Sequence, residues 1–155
     1  MECSCKECQS YCQRRVGWFH PDEIEPLAKQ MKLTVKELFD EHLTVDFWCG
    51  SESTNWEDVF VLAPRTHNQN GGEIMPFNPL GVCHWFKDGK CEVHKKGKPA
   101  ECAFADHTRS NEATKEHRHK IVQAWQSHQK LIHDLLGYAP EKSEPESFME
   151  AFGLF

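Results

Sequence analysis

Residues 83–94 have the sequence CHWFKDGKCEVH. The Asp-Gly pair at 88–89 suits a tight turn, and a short run of residues that begins with a cysteine stands on each side of it. The pattern predicts a β-hairpin that brings Cys83 and Cys91 close together. A third cysteine, Cys102, follows this hairpin along the chain.

A second group of cysteines stands near the N-terminus. Cys5 and Cys8 form a C-x-x-C knuckle, a spacing that lets two sulfurs face one metal ion, and Cys12 follows at a distance that reaches the same ion. Residues 3–20 show no helical or strand periodicity, so we expect a loop whose shape a bound metal imposes. The two groups together predict one metal centre, and the candidate ligands are Cys5, Cys8, Cys12, Cys83, Cys91 and Cys102.

Composition favours a metal over disulfides. The chain has 155 residues, with eight cysteines and ten histidines among them. Thiols in a reducing cytosol serve metals or catalysis more often than disulfides, and the N-terminus has neither the basic start nor the apolar segment of a secretory signal. We therefore expect a cytoplasmic protein. A secreted, disulfide-linked protein is the alternative, since the cysteine count is even.

Charge restricts the expected partners. The chain carries 24 acidic and 18 basic residues, for a formal net charge of -6. Such a surface is not attracted as a whole to nucleic acid or to an anionic membrane. No stretch reaches the roughly 20 apolar residues that a membrane-spanning helix needs. We expect a metal ion as partner, with a protein as a further candidate, no membrane, and nucleic acid disfavoured.

The predicted fold class is α+β, mainly helical, with a short β-hairpin and a long C-terminal helix. His20-Pro21 opens a helix that we expect to run to about Met31, because proline stands at the first helical position. Thr34 and Glu37 have the spacing of a capping box and predict a second short helix. Residues 59–62 predict a short buried strand.

The C-terminal part of the chain has helical periodicity. Apolar residues recur at helical spacing from about Asn111 to Leu136, and Gly137 supplies a stop, so we predict one long helix. The tail after Pro140 ends in apolar residues and is predicted to dock as a small amphipathic helix. The chain is interpreted as a single domain, with a metal-binding part at 1–107 and a helical extension at 108–155.

The residue types allow more than one metal. Four thiolates at about 2.3 Å suit zinc, and thiolates also hold iron or a 4Fe–4S cluster, so zinc and iron are both predicted cofactors. His20, His84 and His94 stand beside the candidate ligands and could replace a thiolate. Several basic residues could neutralise the site or simply form a solvated surface: Arg14, Arg15, Lys87, Lys90, Lys95, Lys96 and Lys98.

Other chemically notable residues have plainer interpretations. Cys49 would be a nucleophile only with a histidine base within hydrogen-bond reach, and a small core residue is the simpler expectation. The tryptophans, Trp56 among them, are expected to fill the core rather than to stack on bases. Histidines on the predicted long helix lack the i, i+4 pairing of a helical zinc site and are expected to be scaffold residues: His117, His119, His128 and His133.

The cysteine motifs resemble those of the YkgJ-like family of zinc- or iron-chelating proteins, also called the CxxCxxCC cysteine-cluster family. The likeness covers most of residues 5–104. The family pattern C-x-x-C-x-x-C-C resembles CKECQSYC at 5–12, and its later motifs resemble CHWF at 83–86, CEVH at 91–94 and KPAEC at 98–102. The resemblance implies metal binding more firmly than any reaction, although relatives include flagellin lysine methylases with iron–sulfur clusters.

The chain departs from the family pattern at three positions. Tyr11 stands where the family has the first of two adjacent cysteines, so one thiol is missing, and Cys3 is a candidate to compensate for it. His94 replaces an aromatic residue, and Lys98 replaces an arginine before proline. A second metal or a cluster of high nuclearity is therefore an open question.

Three functions remain open from the sequence. The leading expectation is a metal-chelating protein whose ion is structural, regulatory or sensed, because saturated four-thiolate coordination leaves no position for a reacting water. The alternatives are an iron–sulfur or metal-dependent enzyme that modifies a macromolecule, and a zinc-ribbon-like interaction module. No catalytic residue is assigned.

Overall fold

The structure, a computed structural model, describes residues 6–14, 16–74, 81–94, 96–104 and 108–140. These ranges form a mixed α+β fold, as predicted. The helices are α1 (Lys6–Arg14), α2 (Ile24–Gln30), α3 (Val35–His42), α4 (Ala100–Phe104), α5 (Asn111–Gln126) and α6 (Gln129–Leu136). The strands are β1 (Leu43–Trp48), β2 (Val59–Pro64), β3 (Glu73–Ile74), β4 (Phe86–Lys87) and β5 (Lys90–Cys91).

The expectation of a loop over residues 3–20 was wrong for residues 6–14, which form α1. The residues between the cysteines are largely Lys, Glu, Gln and Arg, which have high helix propensity, and no glycine or proline interrupts them. Local backbone preference therefore shapes this segment without help from a long apolar stripe.

The helices predicted after His20 are confirmed. His20 caps a 3-10 turn at Pro21–Glu23 that leads directly into α2. Thr34 caps α3 through a capping box, in which its hydroxyl accepts a hydrogen bond from the Glu37 N–H at 3.0 Å. The Glu37 carboxylate accepts in return from the Thr34 N–H at 3.2 Å, so each residue satisfies an otherwise unpaired donor of the other.

A three-stranded sheet with the order β2-β1-β3 supports the helices. Strands β1 and β2 are antiparallel, with Leu43 opposite Pro64 and Trp48 opposite Val59, while β3 is parallel to β1. The prediction of a strand at 59–62 is confirmed within β2. Strand β1 was not predicted, although the alternation of Leu43, Val45 and Phe47 with other residues has the period of a strand.

Aromatic and aliphatic side chains from both halves of the chain form one core. Trp18, Phe19, Trp85 and Trp125 are fully buried in it, as predicted for most of the tryptophans. Helices α5 and α6 add Ile121, Val122, Ile132 and Leu135 to the same cluster. The Trp125 indole N–H also donates to the Phe19 carbonyl at 2.6 Å, so the C-terminal helices pack directly onto the N-terminal half.

The predicted hairpin is confirmed at β4 and β5. Phe86 lies opposite Cys91 and Lys87 opposite Lys90, with Asp88 and Gly89 at positive φ angles of 50° and 72°. Two consecutive left-handed residues are what a type I′ turn requires, and an Asp-Gly pair adopts them at low cost.

The prediction of a single long helix over 111–136 was wrong in one respect, because Ser127 and His128 separate α5 from α6. Gln129 follows this break and pairs with the backbone of β2: its amide accepts from the Phe60 N–H at 3.0 Å and donates to the Phe60 carbonyl at 2.9 Å. The predicted stop is confirmed, since Gly137 caps α6 with a positive φ of 84°.

Two further expectations concern the C-terminal tail and membrane-spanning helices. The amphipathic helix predicted after Pro140 lies outside the described residues. Within the ranges that the structure describes, no helix is long and apolar enough to cross a membrane.

Candidate metal centre

The end of α1 lies beside the start of the hairpin. The Cys83 N–H donates to the Cys12 carbonyl at 2.9 Å, and the Gly81 N–H donates to the Arg14 carbonyl at 3.0 Å. These two bonds join segments that are about 70 residues apart in the chain, as the numbering shows. They bring one cysteine from the N-terminal group next to one from the hairpin.

Each hairpin cysteine begins a tight turn. The Phe86 N–H donates to the Cys83 carbonyl at 2.9 Å, and the His94 N–H donates to the Cys91 carbonyl at 3.2 Å. In the first turn, the N–H groups of Trp85 and Phe86 also point at the Cys83 sulfur as hydrogen-bond donors. Backbone donors aimed at a sulfur favour its thiolate form, which is the form that binds a metal.

Cys102 belongs to α4 and lies near the hairpin cysteines and Cys12. Gly17 lies against it so closely that a Cβ on Gly17 would overlap the Cys102 sulfur. Two hydrogen bonds join the start of α4 to the 17–23 segment. The Glu101 N–H donates to the Trp18 carbonyl at 3.2 Å, and the Ala100 N–H donates to the Glu23 carboxylate at 3.0 Å.

The Glu23 carboxylate that holds the start of α4 has a second hydrogen-bond donor. It also accepts a hydrogen bond from the His20 N–H at 2.6 Å. Burial raises the pKa of Glu23, while its bonds from the His20 and Ala100 N–H groups act in the opposite direction and favour the ionised form. One acidic side chain thus joins the cap of the 3-10 turn to the helix that carries Cys102.

The four thiols interact electrostatically. Burial raises the pKa of Cys83 to about 12, the N–H donors of its turn oppose that rise, and Cys12 and Cys91 add to it. Burial raises the pKa of Cys102 well above its usual value, with further contributions from Cys83 and Cys12 and a smaller one from Cys91. Part of Cys102 reaches the surface, so its sulfur is more enclosed than the residue as a whole.

The structure describes the side chains of some of the predicted ligands but not of all. Cys12, Cys83, Cys91 and Cys102 are near enough to interact electrostatically, whereas Cys3 and Cys5 lie outside the described residues. Cys8 belongs to α1, and its side chain is likewise outside the described part. Among the residues that are described, no group of three or more His, Cys, Asp or Glu side chains is arranged to hold a metal ion.

The donor set nevertheless suits a thiophilic metal. Cys49, Cys83 and Cys102 are free thiols, so the secreted, disulfide-linked alternative gains no support from them. Buried thiols whose pKa is raised stay protonated at neutral pH, and a divalent cation reverses that preference by deprotonating the thiols that it binds. Cys12, Cys83, Cys91 and Cys102 are the described cysteines near the hairpin whose chemistry suits zinc or iron.

The candidate histidines have other contacts. The ring of His20 caps the 3-10 turn by accepting from the Asp22 N–H at 3.2 Å. His84 turns toward His42, with their ring nitrogens 2.9 Å apart. His94 lies 3.3 Å from the Lys98 amine through its Nδ1 atom. None of these contacts uses a cysteine sulfur.

The basic residues near the hairpin are mostly solvated. Lys87, Lys90 and Lys96 are exposed, and Lys87 lies 3.5 Å from the Glu92 carboxylate. Arg14 is exposed as well. The solvated-surface interpretation therefore fits these side chains, while Arg15 and Lys95 lie outside the described residues.

An ion pair that the sequence did not suggest connects α5 to α4 beside Cys102. The Arg118 guanidinium lies over the buried Trp18 ring at 3.9 Å, and its Nε atom is 3.5 Å from the Glu101 carboxylate. Glu101 is buried. These partners are far apart in the chain, so no local pattern could have indicated the pair.

Two expectations about single residues were wrong. Cys49 is exposed rather than a core residue, and burial of its sulfur together with the nearby Asp58 charge raises its pKa, which disfavours a nucleophilic thiolate. Trp56 is 74% exposed, so it does not fill the core. Histidines on α5 and α6 are half-buried, as expected, and His117 stacks on Phe104 with ring centres 4.1 Å apart.

Comparison with protein-family models, with curated proteins and with solved structures gave no match for this chain. The likeness to the YkgJ-like family therefore depends on the quoted motifs alone. The geometry of the cysteines is the independent observation that bears on function.

Proposed function

We propose that this chain is a metal-chelating cysteine-cluster protein that binds zinc or iron through Cys12, Cys83, Cys91 and Cys102, with Cys5 and Cys8 as further candidate ligands. The supporting observation is that the backbone hydrogen bond from the Cys83 N–H to the Cys12 carbonyl and the pairing of the hairpin bring Cys12, Cys83 and Cys91 near one another. The same three cysteines contribute to the raised pKa of Cys102 on α4. Membership of the YkgJ-like family is part of the same proposal.

The positions of these cysteines favour a structural, regulatory or sensing role. They belong to α1, to the hairpin and to α4, which are joined otherwise by a few backbone hydrogen bonds such as Cys83 N–H to Cys12 carbonyl. A metal bound by all three segments would crosslink them, and its binding free energy would add to the free energy of folding. Loss of metal would loosen the same segments.

Thiol chemistry explains why the site would prefer metal to protons. A cluster of buried thiols is stable when protonated, since several thiolates without a cation would repel one another. A divalent ion held by these thiols would supply the opposite charge and would displace their protons. The Trp85 and Phe86 N–H groups then stabilise the resulting thiolate at Cys83.

The test is metal analysis of freshly purified full-length protein, prepared under anaerobic conditions, together with thermal unfolding. We expect zinc or iron close to stoichiometric with protein, with sulfide present as well if an iron–sulfur cluster is bound. Cys83→Ser and Cys91→Ser should each lose most of the metal and unfold at a lower temperature.

Cys49→Ser is the matched control, because Cys49 is an exposed cysteine at a distance from the cluster in sequence. It should keep both metal and stability. Wild-type protein without stoichiometric metal, or equal metal loss in the Cys49 variant, would contradict the proposal.

A further inference from the structure

Trp56 is presented to solvent by a strained turn. Its side chain is 74% exposed, whereas Trp18, Trp85 and Trp125 are buried. Asn55 and Trp56 have positive φ angles of 51° and 62°, in the left-handed region that is unfavourable for a bulky residue. Exposure of a large apolar ring and a left-handed backbone both cost free energy, and the fold gains no core contact in return.

The turn is held in this conformation by its surroundings. The Trp56 N–H donates to the Ser51 carbonyl at 2.8 Å, and a Cβ on Gly50 would overlap the Trp56 carbonyl oxygen. From α5, the Gln123 amide donates to the Ser53 carbonyl at 2.8 Å and the Gln126 amide to the Thr54 carbonyl at 3.0 Å. The exposed position of the indole is therefore built into the structure.

The surroundings of Trp56 are acidic. Residues 49–58 contain Glu52, Glu57 and Asp58 and no Lys, Arg or His. Helix α5 contacts this segment through the neutral amides of Gln123 and Gln126. A cationic ligand would meet negative charge and a π face here, without a competing Lys or Arg from the segment itself.

A cavity begins at Glu57, the residue that follows Trp56, and Trp56 itself is not part of its wall. It has a volume of about 230 Å³, and Glu57 and Asp58 form part of its wall. Val59 and Phe60 supply apolar surface, His133 also lines the cavity, and no Lys or Arg lines it among the described residues. Asp58 accepts the Gly50 N–H at 2.8 Å and Glu57 the Gln126 amide at 3.3 Å, which leaves each carboxylate with further acceptor positions.

We propose that Trp56 and this cavity bind an arginine-bearing segment of a partner protein. A guanidinium stacks on an indole and donates two parallel hydrogen bonds to a carboxylate, while its methylene stem packs on apolar surface. Charge complementarity selects this occupant, because the chain's net charge is -6 and the site is acidic. None of the residues of this surface is a candidate metal ligand, so the proposal does not rest on metal binding.

The experiment titrates the full-length protein with an acetylated oligo-arginine peptide and follows binding by calorimetry at low and moderate salt. Trp56→Ala should weaken binding at least tenfold, and Glu57→Gln should weaken it severalfold and reduce its salt dependence. Tyr138→Ala is the matched control, since Tyr138 is the other exposed large aromatic residue and is 57% exposed. It should bind as the wild type does.

Two further measurements can overturn the proposal. An oligo-glutamate peptide of the same length should not bind, and equal binding of the two peptides would exclude recognition by charge. Trp56→Gly should lose binding while its unfolding temperature stays at or above that of the wild type, because glycine tolerates the positive φ. A lower unfolding temperature would assign Trp56 to the fold, and unchanged binding by the Trp56→Ala protein would exclude the site.

Discussion

The sulfur of Cys102 lies directly against the backbone of Gly17, with no room between them for a Cβ atom. The same Cβ would also come within 3.1 Å of the Cys102 N atom, so the helix backbone as well as the side chain prevents relaxation. Glycine at position 17 therefore allows Cys102 to occupy its present position. This contact makes the cysteine cluster sensitive to a single added methyl group.

Gly17→Ala should displace Cys102 and weaken the site. We expect a loss of about 1–3 kcal/mol in the free energy of unfolding, typical of overpacking, together with a clear loss of bound metal. Urea unfolding and metal analysis on the same preparation measure both effects. Gly137→Ala is the control: Gly137 has a positive φ of 84° and no atom near its Cβ position, so the variant should lose about 1 kcal/mol and keep its metal.

The exposed Cys49 should be the first of the described thiols to react with a thiol reagent such as a maleimide. Burial raises the pKa of Cys49, Cys83 and Cys102 alike, so access of the reagent decides the order, and Cys83 and the sulfur of Cys102 are enclosed in the folded protein. Native-state labelling followed by mass spectrometry should place the early modification at Cys49. Cys49→Ser should remove that early phase, and rapid labelling of Cys83 instead would show that the cluster is open.

Gln129 should stabilise the contact between α6 and β2. Its amide makes two hydrogen bonds with the Phe60 backbone and a third with the Trp125 carbonyl at 2.8 Å. Gln129→Ala removes the side-chain partner of the Phe60 N–H and carbonyl, while the Trp125 carbonyl still accepts from the His128 N–H at 2.9 Å. The variant should cost about 1–3 kcal/mol in chemical denaturation. Lys130→Ala changes the neighbouring exposed residue and should cost less than about 1 kcal/mol. Equal effects would mean that the Gln129 bonds contribute little.

Stability should fall on acidification partly because of His42. Burial lowers the pKa of His42, with a further contribution from the nearby Arg65, while Glu41 acts in the opposite direction. Its pKa is then lower in the folded state than in the unfolded state, so the unfolded state takes up more protons below the ordinary histidine pKa of about 6.5. The contribution of neutral His42 to the free energy of unfolding is complete above about pH 6.5 and is lost as the pH falls toward the pKa of His42 in the folded protein.

Thermal unfolding of wild-type protein and His42→Gln between pH 7.5 and 5 measures this effect. The variant should show a shallower decline in unfolding temperature than the wild type. His133→Gln is the control, because His133 is half-buried on α6 and lies outside the His42–His84 pair. A decline as steep in the His42 variant as in the wild type would contradict the prediction.

The elements that the sequence predicted correctly are those whose signals are local. The capping box of Thr34 and Glu37 spans three residues, and the Asp-Gly turn at 88–89 spans two. Each is satisfied by backbone groups of its own segment, so neighbouring residues suffice to identify it. The stop at Gly137 belongs to the same class.

The errors occurred where distant segments decide the outcome. Strand β1 is defined by its pairing with β2, in which Leu43 lies opposite Pro64. The break between α5 and α6 lets Gln129 reach Phe60, which is far away in the chain. Helix α1 is the exception, because the helix propensity of its own residues is a local signal and decides its conformation.

Sequence by itself determined the residue types available for function: two groups of cysteines, the turn that folds one of them, and a formal net charge of -6. Only the tertiary structure decided that Gly17 and Cys102 meet, that Cys49 is exposed, and that Trp56 stands outside the core. The reason is physical: caps and turns depend on hydrogen bonds within a few residues, whereas burial, thiol pKa and side-chain exposure depend on segments brought together by packing.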